Sequence, residues 1–392
     1  SRIASAVQAS TTMAIDAMFK QMKADGVDVI GFGAGEPDFN TPDNIKAAGI
    51  AAIEQNVTRY TPAAGTVELR QAVCGRMKAD YGLEYKPSQV VVSSGAKHLV
   101  YLALRAVVNP GDEVILPAPY WVSYIELIKM VGGVPVVVTA TEAEHFKLTA
   151  EKLSAAITPR TKAILLNNPS NPTGMMYDRE ELEAIAAVCT QADIYVISDE
   201  IYACLAYDGR TFTSFASLSA DAKERTILVN GVSKAYAMTG WRIGYACAND
   251  VIAKVMANYV SHSTGSPVAI SQRAAAVALS GSQAEIETMR QAFEQRRNYI
   301  VERMNAIPGV SCIQPEGAFY VMMNLEQLLG KTIHGVEITN DDVFADAFLK
   351  YGLVAVVPGS GFGAPNFVRW SYATSMENIK EGLDRLEKFL AE

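Results

Sequence analysis

The chain has 392 residues, 49% hydrophobic and 19% charged, a balance that supplies a substantial buried core and excludes a disordered or collagen-like polymer. Its 34 basic and 42 acidic residues leave a net charge of −8, and no run of Lys or Arg offsets it, so no nucleic-acid or other polyanion surface is expected. No apolar run reaches the ~18–20 residues of a membrane span and no charged-then-apolar leader opens the sequence, so a soluble, cytoplasmic protein is expected.

The first 30 residues start in a helix-like pattern. Apolar β-rich runs then alternate with helical ones: "SQVVVSS" (88–94) leads into "KHLVYLALRAVV", followed by "DEVILPAPYW" (112–121) and "GVPVVVTA" (133–140). "TKAILLNNP" (161–169), the helical "DREELEAIAAVCTQA" (178–192), "DIYVISDE" (193–200), "RTILVNG" (225–231) and "WRIGYACA" (241–248) complete the series. Continuous apolar strands separated by helices predict an α/β fold with a mostly parallel sheet covered on both faces. Beyond 290, amphipathic helices mix with "GAFYVMM" and "NFVRWSYA". The expected organisation is a large domain over 46–285 and a smaller α+β domain formed by 1–45 and 286–392.

The residues that could carry chemistry are unevenly distributed. Cysteines stand at 74, 189, 204, 247 and 312, an odd number without CxxC spacing, which reads as reduced thiols rather than a disulfide or zinc framework. His98, His145, His262 and His334 are scattered with no metal-ligand spacing, so no metal is expected. "GFGAGEPDF" (31–39) lacks the third glycine at the spacing that a GxGxxG dinucleotide fingerprint needs, and Pro37 spoils the helix start that a pyrophosphate requires.

Ligands of open parallel sheets sit beyond the carboxyl ends of the strands. The residues after each predicted strand are Gly95-Ala96-Lys97, Tyr120-Trp121, Asn168 to Asn171, Asp199 with Tyr202, and Ser233-Lys234. A small-residue turn, an aromatic plate, an amide, a carboxylate with a phenol and a lysine suit a flat, charged heterocycle bearing a phosphate.

Eight motifs in order make the pattern specific: "GAGEPDF", "YTPAAG" (60–65), "SSGAKH" (93–98), "PYWVSY" (119–124), "NNPSNPTG" (167–174), "SDEIY" (198–202), "SKAYAMTGWRIGY" (233–245) and "VRWSYATS" (368–375). The chain resembles, over nearly its whole length, the class I aminotransferases of pyridoxal-phosphate fold type I, in the branch of bacterial aspartate and prephenate aminotransferases.

The resemblance implies a role for each matching residue. Lys234 corresponds to the lysine that bonds the aldehyde of pyridoxal 5'-phosphate and later shuttles a proton, which requires an amine pKa below the usual ~10.4. Asp199 corresponds to the partner of the pyridine nitrogen, Asn171 and Tyr202 to donors for the ring 3'-oxygen, and Trp121 to the plate on the ring face. The phosphate falls to Gly95, Ala96, Ser233 and Arg242, with Tyr60 reaching it from a neighbouring subunit, so a homodimer is implied. Some relatives carry a serine three residues before the lysine, where this chain has Gly231.

Arg369 corresponds to the arginine that takes the substrate α-carboxylate bidentately, with Gly35 and Asn171 nearby. Lys97, Ser10 and Thr12 match contacts to a second carboxylate. Implied is transfer of an amino group from aspartate, or a related dicarboxylic amino acid, to 2-oxoglutarate through a pyridoxamine form. The alternatives are a prephenate, aromatic or alanine aminotransferase, a lyase or decarboxylase of the same fold, and a regulator that uses the domain as a sensor.

Overall fold

The computed structural model describes residues 5, 7 and 11–391, without the side chains of 11–16. After a helix over Thr11–Ala24 and a short strand β1 (Ile30–Gly31), seven strands follow. They are β2 (Val90–Ser93), β3 (Glu113–Ala118), β4 (Val134–Thr139), β5 (Thr161–Asn167), β6 (Tyr195–Asp199), β7 (Thr226–Gly231) and β8 (Gly244–Cys247). They form one sheet in the order β2-β8-β7-β6-β5-β3-β4. Pairing is parallel from β7 through β4, whereas β8 is antiparallel to both its neighbours.

Side-chain alternation distributes the sheet between two cores. Val91, Val114, Leu116, Ala163, Leu165, Ile197, Ile227 and Val229 face one side, with Leu99 and Leu102 of the Ala96–Val107 helix and Met256 of the Asp250–Ser263 helix. Val90, Val92, Leu228 and Tyr245 face the other way, onto helices Val67–Tyr81 and Ala269–Ser280. Farther along that face, Ile115, Ile164, Leu166 and Val196 meet the Arg179–Ala192 helix. Helices therefore cover both faces, as the apolar runs predict. The exception is β4 at the edge of the sheet, where Val134 and Val137 are exposed.

The remaining strands are β9 (Tyr320–Asn324), β10 (Thr332–Ile333), β11 (Val336–Glu337), β12 (Val354–Ala355), β13 (Val357–Pro358) and β14 (Phe367–Ser371). β13, β14 and β9 form an antiparallel sheet, while β12 pairs in parallel with β1. Phe32 beyond β1 shares a buried cluster with Phe293 and Ile300 of the Ala284–Ala306 helix and with Trp370 and Leu383. The segment 30–36 thus runs between this C-terminal core and the large sheet.

Among the described residues no helix is long and apolar enough to cross a membrane, and no group of three or more His, Cys, Asp or Glu is placed to hold a metal ion.

Candidate active site

The carboxyl ends of six parallel strands and the amino end of β8 share one edge of the sheet, because β8 runs the other way. That single reversal brings Arg242, two residues ahead of β8, to the same rim as Lys234, three residues past β7. A cavity of ≈ 540 Å³ opens there, lined by Ala96, Lys97, Trp121, Asn171, Asp199, Tyr202, Ser233, Lys234 and Arg242. Gly35 and Arg369 close it from the strap after β1 and from β14.

Two glycines let the rim pack so closely. Gly231 and Gly244 lie opposite each other on β7 and β8. A Cβ on Gly244 would stand 2.5 Å from Ala96 N, so the turn into the Ala96–Val107 helix rests directly on the strand. A Cβ on Gly231 would meet Gly244 Cα and Ile243 O at 3.0 Å. At the place where some relatives carry a serine, a side chain would therefore press on the backbone of the neighbouring strand.

Gly95 ends that turn at φ +92, a conformation glycine adopts without a Cβ clash. A Cβ there would lie 2.5 Å from Arg242 Nη2, so the guanidinium occupies the space beside the first free N–H groups of the helix. Arg242 donates from Nη1 to Thr239 O at 2.9 Å and from Nη2 to Ser94 O at 3.2 Å. The helix N-terminus and this cation form an anion cradle.

Asp199, the last residue of β6, is 3% exposed. Its Oδ2 accepts from the Tyr124 hydroxyl at 2.7 Å and its Oδ1 from Ile201 N at 3.2 Å. Burial raises its carboxyl to about 6, while those two hydrogen bonds and the Lys234 charge pull the other way. Neighbouring Asn167 donates to Asp199 O at 3.0 Å and accepts from Asn171 N at 2.7 Å, fixing the loop that carries Asn171.

Lys234 donates from Nζ to Gly35 O. Burial lowers its amine to about 8; Glu36 and Asp199 oppose the change, and the Arg242 and Arg369 charges add to it. Arg369, 2% exposed, donates to Asn171 Oδ1 and to Gly33 O, each at 2.9 Å, and its Nε is buried without a partner. Its guanidinium lies between the Tyr320 and Phe362 rings, at 4.5 and 4.8 Å from their centroids. Lys97 extends its ammonium over Trp121, 4.8 Å from the ring centroid, where desolvation and Arg242 lower its pKa.

Tyr60 does not line this cavity and is 99% exposed. Ser10 lies outside the described residues, as does the side chain of Thr12, whose backbone belongs to the Thr11–Ala24 helix. Tyr124 and Tyr320 line the cavity although nothing in the sequence singled them out; both stand inside quoted motif runs, "PYWVSY" and "GAFYVMM". Glu36 is a third such residue, tied to the lysine loop by Thr239 Oγ1, which donates to its Oε2 at 2.8 Å.

A buried carboxylate, an amine with a lowered pKa, an anion cradle and a buried guanidinium stand around one cavity in a chain that has close known relatives. An aspartate aminotransferase of a Bacillus species is 50% identical over 381 residues, covering 97% of this chain and 96% of its own length. An aspartate/prephenate aminotransferase of Cereibacter sphaeroides is 48% identical over 388 residues, covering 98% of this chain and 97% of its own. The crystal structure of the aspartate aminotransferase from Rhizobium meliloti superposes with a TM-score of 0.97 at 42% identity, covering 100% of this chain and 98% of that one. The family profile for aminotransferase class I and II matches residues 27–386, and the chain belongs to that pyridoxal-phosphate-dependent family of transaminases.

Proposed function

We propose that this aminotransferase takes aspartate as amino donor and 2-oxoglutarate as acceptor, at a site completed by a second copy of the chain. The observation that carries the reading is the charge of the cavity. Lys97, Lys234, Arg242 and Arg369 face it, and Glu36 and Asp199 are the carboxylates among its described lining residues. That surplus suits one phosphate and two substrate carboxylates together, since buried charges need partners. A monocarboxylic amino acid would leave Lys97 without a counter-ion.

The residues fit pyridoxal phosphate by the chemistry of their donors. Gly95, Ala96 and Arg242 supply an anion cradle, and Asp199, desolvated, gains by pairing with a protonated ring nitrogen. Asn171 and Tyr202 would hold the ring oxygen, and Trp121 the ring face. When bound, the cofactor supplies an electrophilic aldehyde and an electron-withdrawing ring. Lys234, with its amine lowered to about 8, offers an appreciable free-base fraction near neutral pH and takes the proton from the substrate Cα. Arg369 orients the α-carboxylate through its planar fork, held in place by Asn171 and Gly33. Lys97 neutralises the side-chain carboxylate.

The homodimer is supported by exposed apolar residues on the elements that flank Tyr60 in the chain and on the helix they pack against. Ile50 and Ile53 are 58% and 56% exposed on one helix, with Val268 at the start of the Ala269–Ser280 helix packed against it and Val67 at the start of the Val67–Tyr81 helix packed on that second helix. The five cysteines are free, which fits a reducing, cytoplasmic setting.

Incubating the cofactor-loaded protein with aspartate alone tests the reaction type. One equivalent of oxaloacetate and of pyridoxamine phosphate is expected per site. Continuous release of alanine, ammonia or carbon dioxide would point to a lyase or decarboxylase instead. Because one relative is an aspartate/prephenate aminotransferase, the acceptor panel includes prephenate.

A further inference from the structure

Tyr320 opens β9 and is 1% exposed. Its hydroxyl lies 2.9 Å from that of Tyr202, and the two rings cross at 86° with centroids 5.7 Å apart. On the antiparallel ladder Tyr320 pairs with Ser371 and Met322 pairs with Arg369, so Tyr320 and Arg369 share one face of the sheet. The Arg369 guanidinium accordingly covers the Tyr320 ring. The same hydroxyl stands 3.1 Å from where a Cβ on Gly35 would lie, so the strap at that point passes against it. One phenol therefore touches both the side chain assigned to the cofactor's ring oxygen and the guanidinium assigned to the substrate carboxylate.

A tyrosine hydroxyl has a single proton to donate. In a pair of phenols one donates to the other, and the acceptor keeps its own proton for a third group. The charged and titratable groups facing this pair are Asp199, Tyr124, Tyr372 and Arg369, with Lys234 across the cavity. Their placement is unequal. Burial raises both phenols; the Arg369 guanidinium over the Tyr320 ring is the charge that chiefly opposes this at Tyr320, whereas Tyr202 also feels the negative charge of Asp199, which leaves Tyr320 the more acidic of the two. The more acidic phenol is the better donor.

We propose that Tyr320 is a positioning residue that donates its hydroxyl proton to Tyr202, so that Tyr202's own proton is directed into the cavity at the cofactor's ring oxygen. The inference rests on the cofactor assignment above. A hydroxyl that accepts one hydrogen bond becomes a stronger donor in the next, so the chain Tyr320–Tyr202–ring oxygen strengthens its last link. Tyr320 is also polarised by Arg369, the residue that would receive the substrate, which couples the two ends of the site.

The test loads wild type, Tyr202→Phe, Tyr320→Phe and the double variant with pyridoxal phosphate and follows the pH midpoint of the visible absorption band. Tyr202→Phe is expected to raise the midpoint, because losing the donor disfavours negative charge on the ring oxygen. Tyr320→Phe keeps the ring under Arg369 and is expected to raise the midpoint by about 10–30% of that shift, the cooperative share of one hydrogen bond. It is expected to add nothing in the Tyr202→Phe background. A Tyr320→Phe midpoint equal to wild type, or the same increment in both backgrounds, overturns the inference and leaves the cofactor assignment standing. A wild-type protein that develops no visible band overturns both.

Discussion

The Tyr124 hydroxyl donates to Asp199 Oδ2 at 2.7 Å across 75 residues of sequence, from the helix Ser123–Met130 to the end of β6. This hydrogen bond favours the ionised form of a carboxyl that burial raises to about 6. Under the proposed function Asp199 is ionised when it pairs with a protonated ring nitrogen, so activity is expected to fall as pH drops through the carboxyl's pKa. Tyr124→Phe removes a bond to the charged form and raises that pKa further. The acid limb of the kcat/KM profile is expected to move to higher pH by about one unit. A pH–rate series on the two proteins checks this, and an unmoved limb would show that Tyr124 does not set the ionisation of Asp199.

Gly231 offers a sharper contrast between motif and packing. Supplying the serine that some relatives carry ought to add a hydroxyl near the phosphate turn. With Gly244 Cα and Ile243 O at 3.0 Å from the new Cβ, Gly231→Ser is instead expected to destabilise the protein by roughly 1–3 kcal/mol. Thermal unfolding of the cofactor-free protein measures that loss. Unchanged stability together with tighter cofactor binding would contradict it.

Under the proposed function, Lys97 separates a dicarboxylate from a monocarboxylate substrate. Losing one charge-assisted contact costs about 1.5–3 kcal/mol, so Lys97→Ala is expected to slow the half-reaction with aspartate roughly 10- to 100-fold at subsaturating substrate. The half-reaction with alanine should change far less. Equal losses for the two amino acids would remove the charge argument for aspartate.

Tyr60 is almost fully exposed, and the proposed dimer gives it a use in the other subunit's site. Mixing Lys234→Ala and Tyr60→Phe subunits creates heterodimers in which one site carries both defects and the other neither. Activity of the mixture is expected to exceed that of either variant alone after subunit exchange. Strictly additive activity would place Tyr60 outside the partner's site.

Much of this arrangement was legible before any coordinates. Val90–Ser93 and Thr226–Gly231 are buried at every position, and such continuous apolar runs announce strands covered on both faces. Lys234, Asp199 and Arg369 were legible because each stands in an ordered series of motifs. The direction of β8 was not, since "WRIGYACA" has the same pattern read either way, and that direction is what brings Arg242 to the cavity. Tyr124 and Tyr320 escaped for another reason. An aromatic residue in an apolar run reads as core, and their hydroxyl partners lie 75 and 118 residues away. Glu36 and Thr239 meet across 203 residues, a separation that no local pattern encodes.

The central claim is that the Lys234 amine bonds the cofactor aldehyde, and borohydride reduction of the loaded protein followed by peptide mass mapping tests it most directly. A pyridoxyl adduct confined to the peptide containing Lys234, and absent from Lys234→Ala, is the expected result. An adduct on another lysine, or equal labelling of the Lys234→Ala protein, would contradict it.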